Sequence, residues 1–149
     1  MNNKRYLARN RVLPFLLVLG LLAYQYYFQD QQSTDNNVAV GNNAVQQAYA
    51  NQRSGQWLET SGRVSRVLRD DNEGSRHQKF ILEIDGGHTV MVAHNIDLAE
   101  RIPVRRGLTL AVRGKYEWND RGGVIHWTHH DPDGRTQGGW IMLDNVSYQ

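Results

Sequence analysis

The spacing of apolar and polar positions shifts along the chain, and each shift marks a different kind of segment. Val12–Phe28 is an almost unbroken apolar run, interrupted only by Pro14, Gly20 and Gln25. Residues 29–43 read QDQQSTDNNVAVGNN, too poor in bulky apolar groups to bury a core, which predicts a flexible linker. Ala44–Arg53 sets Val45, Ala48 and Tyr49 at helical spacing, which predicts a short helix capped by Asn43 and ended by Gly55.

From Trp57 onward the period is two, the signature of strands with one buried face. Trp57–Arg69 predicts a first strand, with Gly62 as its bend or bulge. Arg63, Arg66 and Arg69, spaced by three, are expected not to share a face. His77–Asp85 predicts a second strand, with Phe80, Leu82 and Ile84 inward. Thr89–His94 predicts a third, with Val90, Val92 and His94 inward, after a hairpin at Gly86-Gly87. Asp97-Leu98-Ala99-Glu100 has capping-box spacing and predicts a helix of one or two turns, stopped by Pro103. Leu108–Trp118 and Val124–His130 predict two more strands, and Gly139–Tyr148 a last extended piece. The expected fold class is mainly β: a small OB-like five-stranded Greek-key barrel with a short N-terminal helix. A meander packed on the helix satisfies the same order.

Charge changes the picture at the N-terminus. Lys4, Arg5, Arg9 and Arg11 precede the apolar run, and residues 1–11 hold no acid. Residues 51–149 hold 13 bases and 13 acids, so the folding part is neutral, which disfavours nucleic-acid binding through bulk positive charge. The resulting expectation is a cytoplasmic basic stub (1–11), a single-pass anchor in a bacterial inner membrane (12–28), a linker (29–43) and a periplasmic domain (44–149). Tyr24, Tyr26, Tyr27 and Phe28 suit an interfacial aromatic belt. The strongly apolar part, Val12–Ala23, equally suits a signal peptide, which would leave a soluble periplasmic protein after cleavage. The absence of Cys excludes disulfides, thiolate nucleophiles and Cys-ligated zinc.

Candidate chemistry gathers in one place. All six His lie between residues 77 and 130, three of them in His126-Trp127-Thr128-His129-His130-Asp131-Pro132. Strict alternation would put His126, Thr128 and His130 on one face and Trp127 and His129 on the other. His126 and His130 would then stand about 13 Å apart at about 3.3 Å per residue, too far for one metal ion. A site would therefore need His94 from the neighbouring strand. The expected ligand-binding set is His94, Asn95, Asp97, His126, Trp127, Thr128, His129, His130 and Asp131. The expected metal set is His94, His126 and His130, suited to a divalent transition metal. The competing reading makes these His strand-end groups bonded to backbone or Asp, and makes Asn95 and Asp97 turn and cap residues. No phosphate-cradling glycine loop and no G-x-S-x-G elbow occurs.

The segments Val92–Pro103 (VAHNIDLAERIP) and Gly114–Ile141, the latter containing HWTHHDP, resemble a bacterial family known only as a domain of unknown function. Its members are small exported or membrane-anchored proteins. The resemblance covers residues 44–148 and implies an envelope location, but no activity, cofactor or catalytic residue. Three functions fit: a periplasmic binding module for an oligosaccharide, a single strand of nucleic acid or an envelope protein; a metal-dependent nuclease or phosphoesterase using His126–Asp131; and a structural partner in an envelope assembly.

Overall fold

The computed structural model describes residues 39–149. The basic stub, the apolar run and all but the end of the linker lie outside the described residues. Among the described residues no helix is long and apolar enough to cross a membrane.

A two-residue strand β1 (Ala39–Val40) leads into helix α1 (Asn42–Ala50). Six longer or shorter strands follow: β2 (Gln56–Val67), β3 (His77–Glu83), β4 (Thr89–Asn95), β5 (Thr109–Glu117), β6 (Val124–His126) and β7 (Trp140–Leu143). β8 (Val146–Tyr148) ends the chain. The pairing runs β2-β3-β4-β6-β5, and β5 returns to β2. That closes a five-strand barrel in which β4 and β6 are parallel and the other ring pairs antiparallel. The order is the Greek-key closure of an OB-like barrel.

Alternation explains which side chains fill it. Phe80, Leu82, Val90, Val92, Leu110, Val112, Tyr116 and Ile125 are buried on the inner face, each large apolar group contributing about 1.5–3 kcal/mol by leaving water. One end is covered by α1 through Val45 and Ala48. The helix is held there by Asn42, which donates to Asp85 Oδ2 (2.7 Å) and accepts from Thr60 Oγ1 (2.6 Å). The Asn43 cap expected from sequence is not used, because α1 begins two residues earlier, at Asn42, with Gly41 in the cap position. The other end is plugged by Ile102, whose backbone exchanges two hydrogen bonds with the Gln78 carboxamide.

Four expectations need correcting. No helix forms at Asp97–Pro103, where the chain makes a turn. The reason is competition: Asp97 spends its carboxylate on the Arg76 amide and guanidinium (both 2.7 Å) instead of capping, and its own N–H donates to Asn95 Oδ1. The bulge in β2 is at Ser65, not Gly62. The extra residue turns Arg66 opposite Ile81, so Arg63 and Arg66 both face outward. The last extended piece is a hairpin, β7–β8, turned at Asp144-Asn145 with both residues at positive φ.

Candidate functional site

The His-rich segment was expected to continue as a strand to His130, but β6 stops at His126. Trp127 has φ +54°, a left-handed conformation that costs a non-glycine residue on the order of 1–2 kcal/mol. The reversal resets the alternation. Thr128 is fully buried and His129 nearly so, whereas His126 is half-buried and His130 exposed. His126, Thr128 and His130 therefore do not share a face.

His94 points into the barrel and is completely buried. Its Nε2 lies 3.0 Å from the Glu100 carbonyl and its Nδ1 2.8 Å from Thr128 Oγ1. A carbonyl only accepts, so Nε2 carries the proton and Nδ1 accepts from the Thr128 hydroxyl. Burial pushes the imidazole below its ordinary value, which fits this neutral tautomer. Both nitrogens are committed, so neither is free for a ligand.

His126 faces outward from β6, beside Lys115 in register. Its Nε2 lies 3.6 Å from Glu117 Oε1 and has no hydrogen-bond partner among the described residues. Burial lowers its pKa, and the neighbouring Glu117 opposes that. Asp131 is consumed by its own loop. Oδ1 accepts from the Asp133 amide (3.1 Å), and Oδ2 from the Arg135 and Thr136 amides and the Thr136 hydroxyl. These bonds hold its pKa below the usual carboxylate range. Asn95 and Asp97 are turn residues, as their competing reading held. The metal set His94, His126 and His130 is not assembled: one group is inside the barrel and two are outside. Among the described residues no cluster of three or more His, Asp or Glu is placed to hold a metal ion.

What the segment does display is a ring pair. Trp127 is 40% exposed and stacks on His129, with centroids 5.4 Å apart and planes 26° from parallel. The stem below it is tightly built. A Cβ on Gly139 would collide with the Trp127 and Arg113 carbonyls, and Arg113 Nε donates to the Gly138 carbonyl (3.0 Å).

A second region lies apart from the candidate ligand-binding and metal residues. The outer face of β2–β4 and the β5–β6 loop enclose a groove of about 310 Å³. Its floor carries Leu68, Ile81 and Met91, and Ile81 and Met91 are cross-strand partners. Arg66 borders it from β2 and Arg121 from the β5–β6 loop, both exposed. Neither guanidinium has a carboxylate partner among the described residues. The loop is fixed by Asn119 Oδ1, which accepts from the Arg121 and Gly123 amides (2.9 and 3.0 Å). Gly123, at φ +90°, lies where any Cβ would strike the Tyr116 ring. The one available sequence signal was apolar Ile81 and Met91 on the face that alternation assigns to solvent. Arg66 was hidden by the bulge that re-aims it.

No curated protein matches the chain. A solved structure described as the S. pombe Stn1–Ten1 complex contains a chain 17% identical, at a TM-score of 0.38, over 59% of this chain and 59% of that one. The family model described as "Protein of unknown function (DUF3465)" matches residues 29–149, and the chain belongs to that family.

Proposed function

We propose that the domain is a binding module, tethered in the bacterial envelope, that holds a ligand carrying acidic groups in the groove between Arg66 and Arg121. The observation that carries this is the pair of unpartnered guanidiniums flanking an apolar floor. Arginine presents planar, forked donors that match carboxylate or phosphate, and an apolar floor takes the uncharged face of the same ligand. The position agrees with the fold. OB-type barrels bind oligonucleotides and oligosaccharides on their second and third strands and on the loops after the first and fourth. Those correspond here to β3, β4 and the β2–β3 and β5–β6 connections.

The leader supports the location: residues 1–11 as a cytoplasmic stub and 12–28 as an inner-membrane anchor would put the barrel in the periplasm. Residues 29–38 reach at most about 35 Å at about 3.5 Å each, so the ligand would be met close to the bilayer. The test is titration of the full chain in detergent micelles with oligothymidylate, an oligouronate and an acidic peptide at two salt concentrations. At least one should bind, more weakly at high salt, and Arg66→Glu with Arg121→Glu should abolish that binding. Binding unchanged in the double variant would reject the groove.

A further inference from the structure

We infer that the barrel end plugged by Ile102 docks on the surface of an anionic lipid bilayer. The docking goes beyond the groove reading and shares with it only the envelope anchor.

Register defines this end. β2 runs antiparallel to β3 and β5, and β3 to β4, so the C-terminal ends of β2 and β4 lie beside the N-terminal ends of β3 and β5. β7 is antiparallel to β5, with Met142 opposite Ala111, so its turn into β8 reaches the same end. Three of the five large apolar side chains exposed among the described residues stand there: Val67 at the close of β2, Leu98 in the turn after β4 and Val146 after the β7–β8 turn. One such side chain alone is ordinary, but several at one end, rimmed by cations, suit the boundary between headgroups and acyl chains.

The cations at this end lack partners. Arg63, Arg69, Arg105 and Arg106 are exposed and pair with no carboxylate among the described residues. Three neighbouring acids are spent on other cations: Asp70 on Arg101, Asp71 on Lys79 and Asp97 on Arg76. Arg63 has Glu83 opposite it in register and does not pair with it. Its guanidinium lies instead over the turn at Arg105-Arg106-Gly107, where a Cβ on Gly107 would meet it at 3.6 Å. Two backbone bonds clasp that turn to β2: the Val64 N–H donates to the Leu108 carbonyl and the Gly107 N–H to the Val64 carbonyl (both 2.8 Å). Three arginines are thus carried on one backbone clasp, and an anionic surface relieves the repulsion between them.

The aliphatic neighbours select lipid over nucleic acid. A nucleic-acid strand calls for rings interleaved with the cations, whereas Val67, Leu98 and Val146 offer no stacking face and can enter the acyl boundary. The tether allows the contact. Ala39 pairs with Leu58, nine residues before Val67 on β2, or about 30 Å at about 3.3 Å per residue. Residues 29–38 reach about 35 Å, enough for this end to touch the bilayer that residues 12–28 would span.

The chain has no Cys, so a single one can be introduced for labelling. The full chain with Leu98→Cys carrying a nitrobenzoxadiazole fluorophore is reconstituted in nanodiscs of phosphatidylcholine, or of two parts phosphatidylcholine to one of phosphatidylglycerol, doped with nitroxide lipid. Asp120→Cys, in the loop beyond the far end of β5, is the reference site. In the mixed discs the label at position 98 should shift to the blue and be quenched by the nitroxide, while the label at position 120 should not. Arg63→Glu with Arg105→Glu and Arg106→Glu should abolish the quenching without lowering the melting temperature, and the corresponding Gln triple variant should lose part of it. Added salt should weaken the quenching. Arg66→Glu with Arg121→Glu should leave it unchanged, which separates the docking from the groove. Equal quenching at both sites, equal quenching in discs without phosphatidylglycerol, or quenching that survives the Glu triple variant overturns the docking. Oligothymidylate binding that the Glu triple variant loses, with no lipid contact at position 98, assigns the cluster to nucleic acid and overturns it as well. A chain that stays out of the discs overturns anchor and docking together and leaves the groove to its own titration.

Discussion

The His-rich segment and the β2–β4 groove make opposite use of their polar residues. In the segment, functional groups are dense and largely committed. His94 and Thr128 satisfy each other and the Glu100 carbonyl, and Asp131 accepts four hydrogen bonds from its own loop. In the groove, functional groups are few and two of them, Arg66 and Arg121, are free among the described residues. A binding site needs groups with unspent hydrogen-bonding capacity, so the chemically quieter region is the better candidate. The segment contributes one group of a different kind, the Trp127 ring, which remains 40% exposed.

If the segment is structural, disturbing it should cost stability, and the largest loss should come at its stem. Gly139→Ala drives a Cβ into two backbone carbonyls that cannot swing aside, so a destabilisation of about 4 kcal/mol or more is expected in urea unfolding. A loss below about 1 kcal/mol would mean that the stem is loose. His94→Ala should cost about 3 kcal/mol, because it leaves the Thr128 hydroxyl and the Glu100 carbonyl buried without their partner and opens a cavity.

The same imidazole sets a pH dependence. Its folded-state pKa lies below the ordinary value of 6.5 because burial disfavours the charged form. Its contribution is therefore complete above about pH 6.5. It is lost as pH falls below that value, where the unfolded state takes up the proton first. Half-buried His126, shifted the same way, adds to the slope. Urea midpoints should fall between pH 7.5 and pH 5.5, and His94→Gln should flatten that fall. An unchanged slope in His94→Gln would remove His94 as the titrating group. The smallest effect belongs to the groove. Arg66→Glu with Arg121→Glu touches exposed, unpaired side chains and should shift stability by no more than about 0.5 kcal/mol per site. A large loss would show that these arginines are structural after all, erasing the contrast between the two regions.

Much of the barrel was legible because period-two alternation reports burial directly. Phe80, Leu82, Val90, Val92 and His94 on the inner face, and the helix carrying Val45 and Ala48, follow from spacing alone. Three features escaped for identifiable reasons. The Asp97 helix failed because a capping-box sequence says nothing of Arg76, a competitor 21 residues away. The face assignments after His126 failed because a positive φ at a tryptophan has no sequence signature. Arg66 was assigned away from Arg63 because a bulge at Ser65 is decided by pairing with β3, not by the strand's own pattern. The groove is made from that bulge and from a loop folded over Tyr116, so it becomes visible only once the barrel has closed.

The claim that the groove between Arg66 and Arg121 is the binding site is tested most directly by titrating the wild-type chain and its Arg66→Glu, Arg121→Glu variant with the acidic probes under identical low-salt conditions. Saturable binding that disappears in a variant as stable as wild type is the expected result. Equal binding by both proteins, or the absence of binding by the wild type, would contradict it.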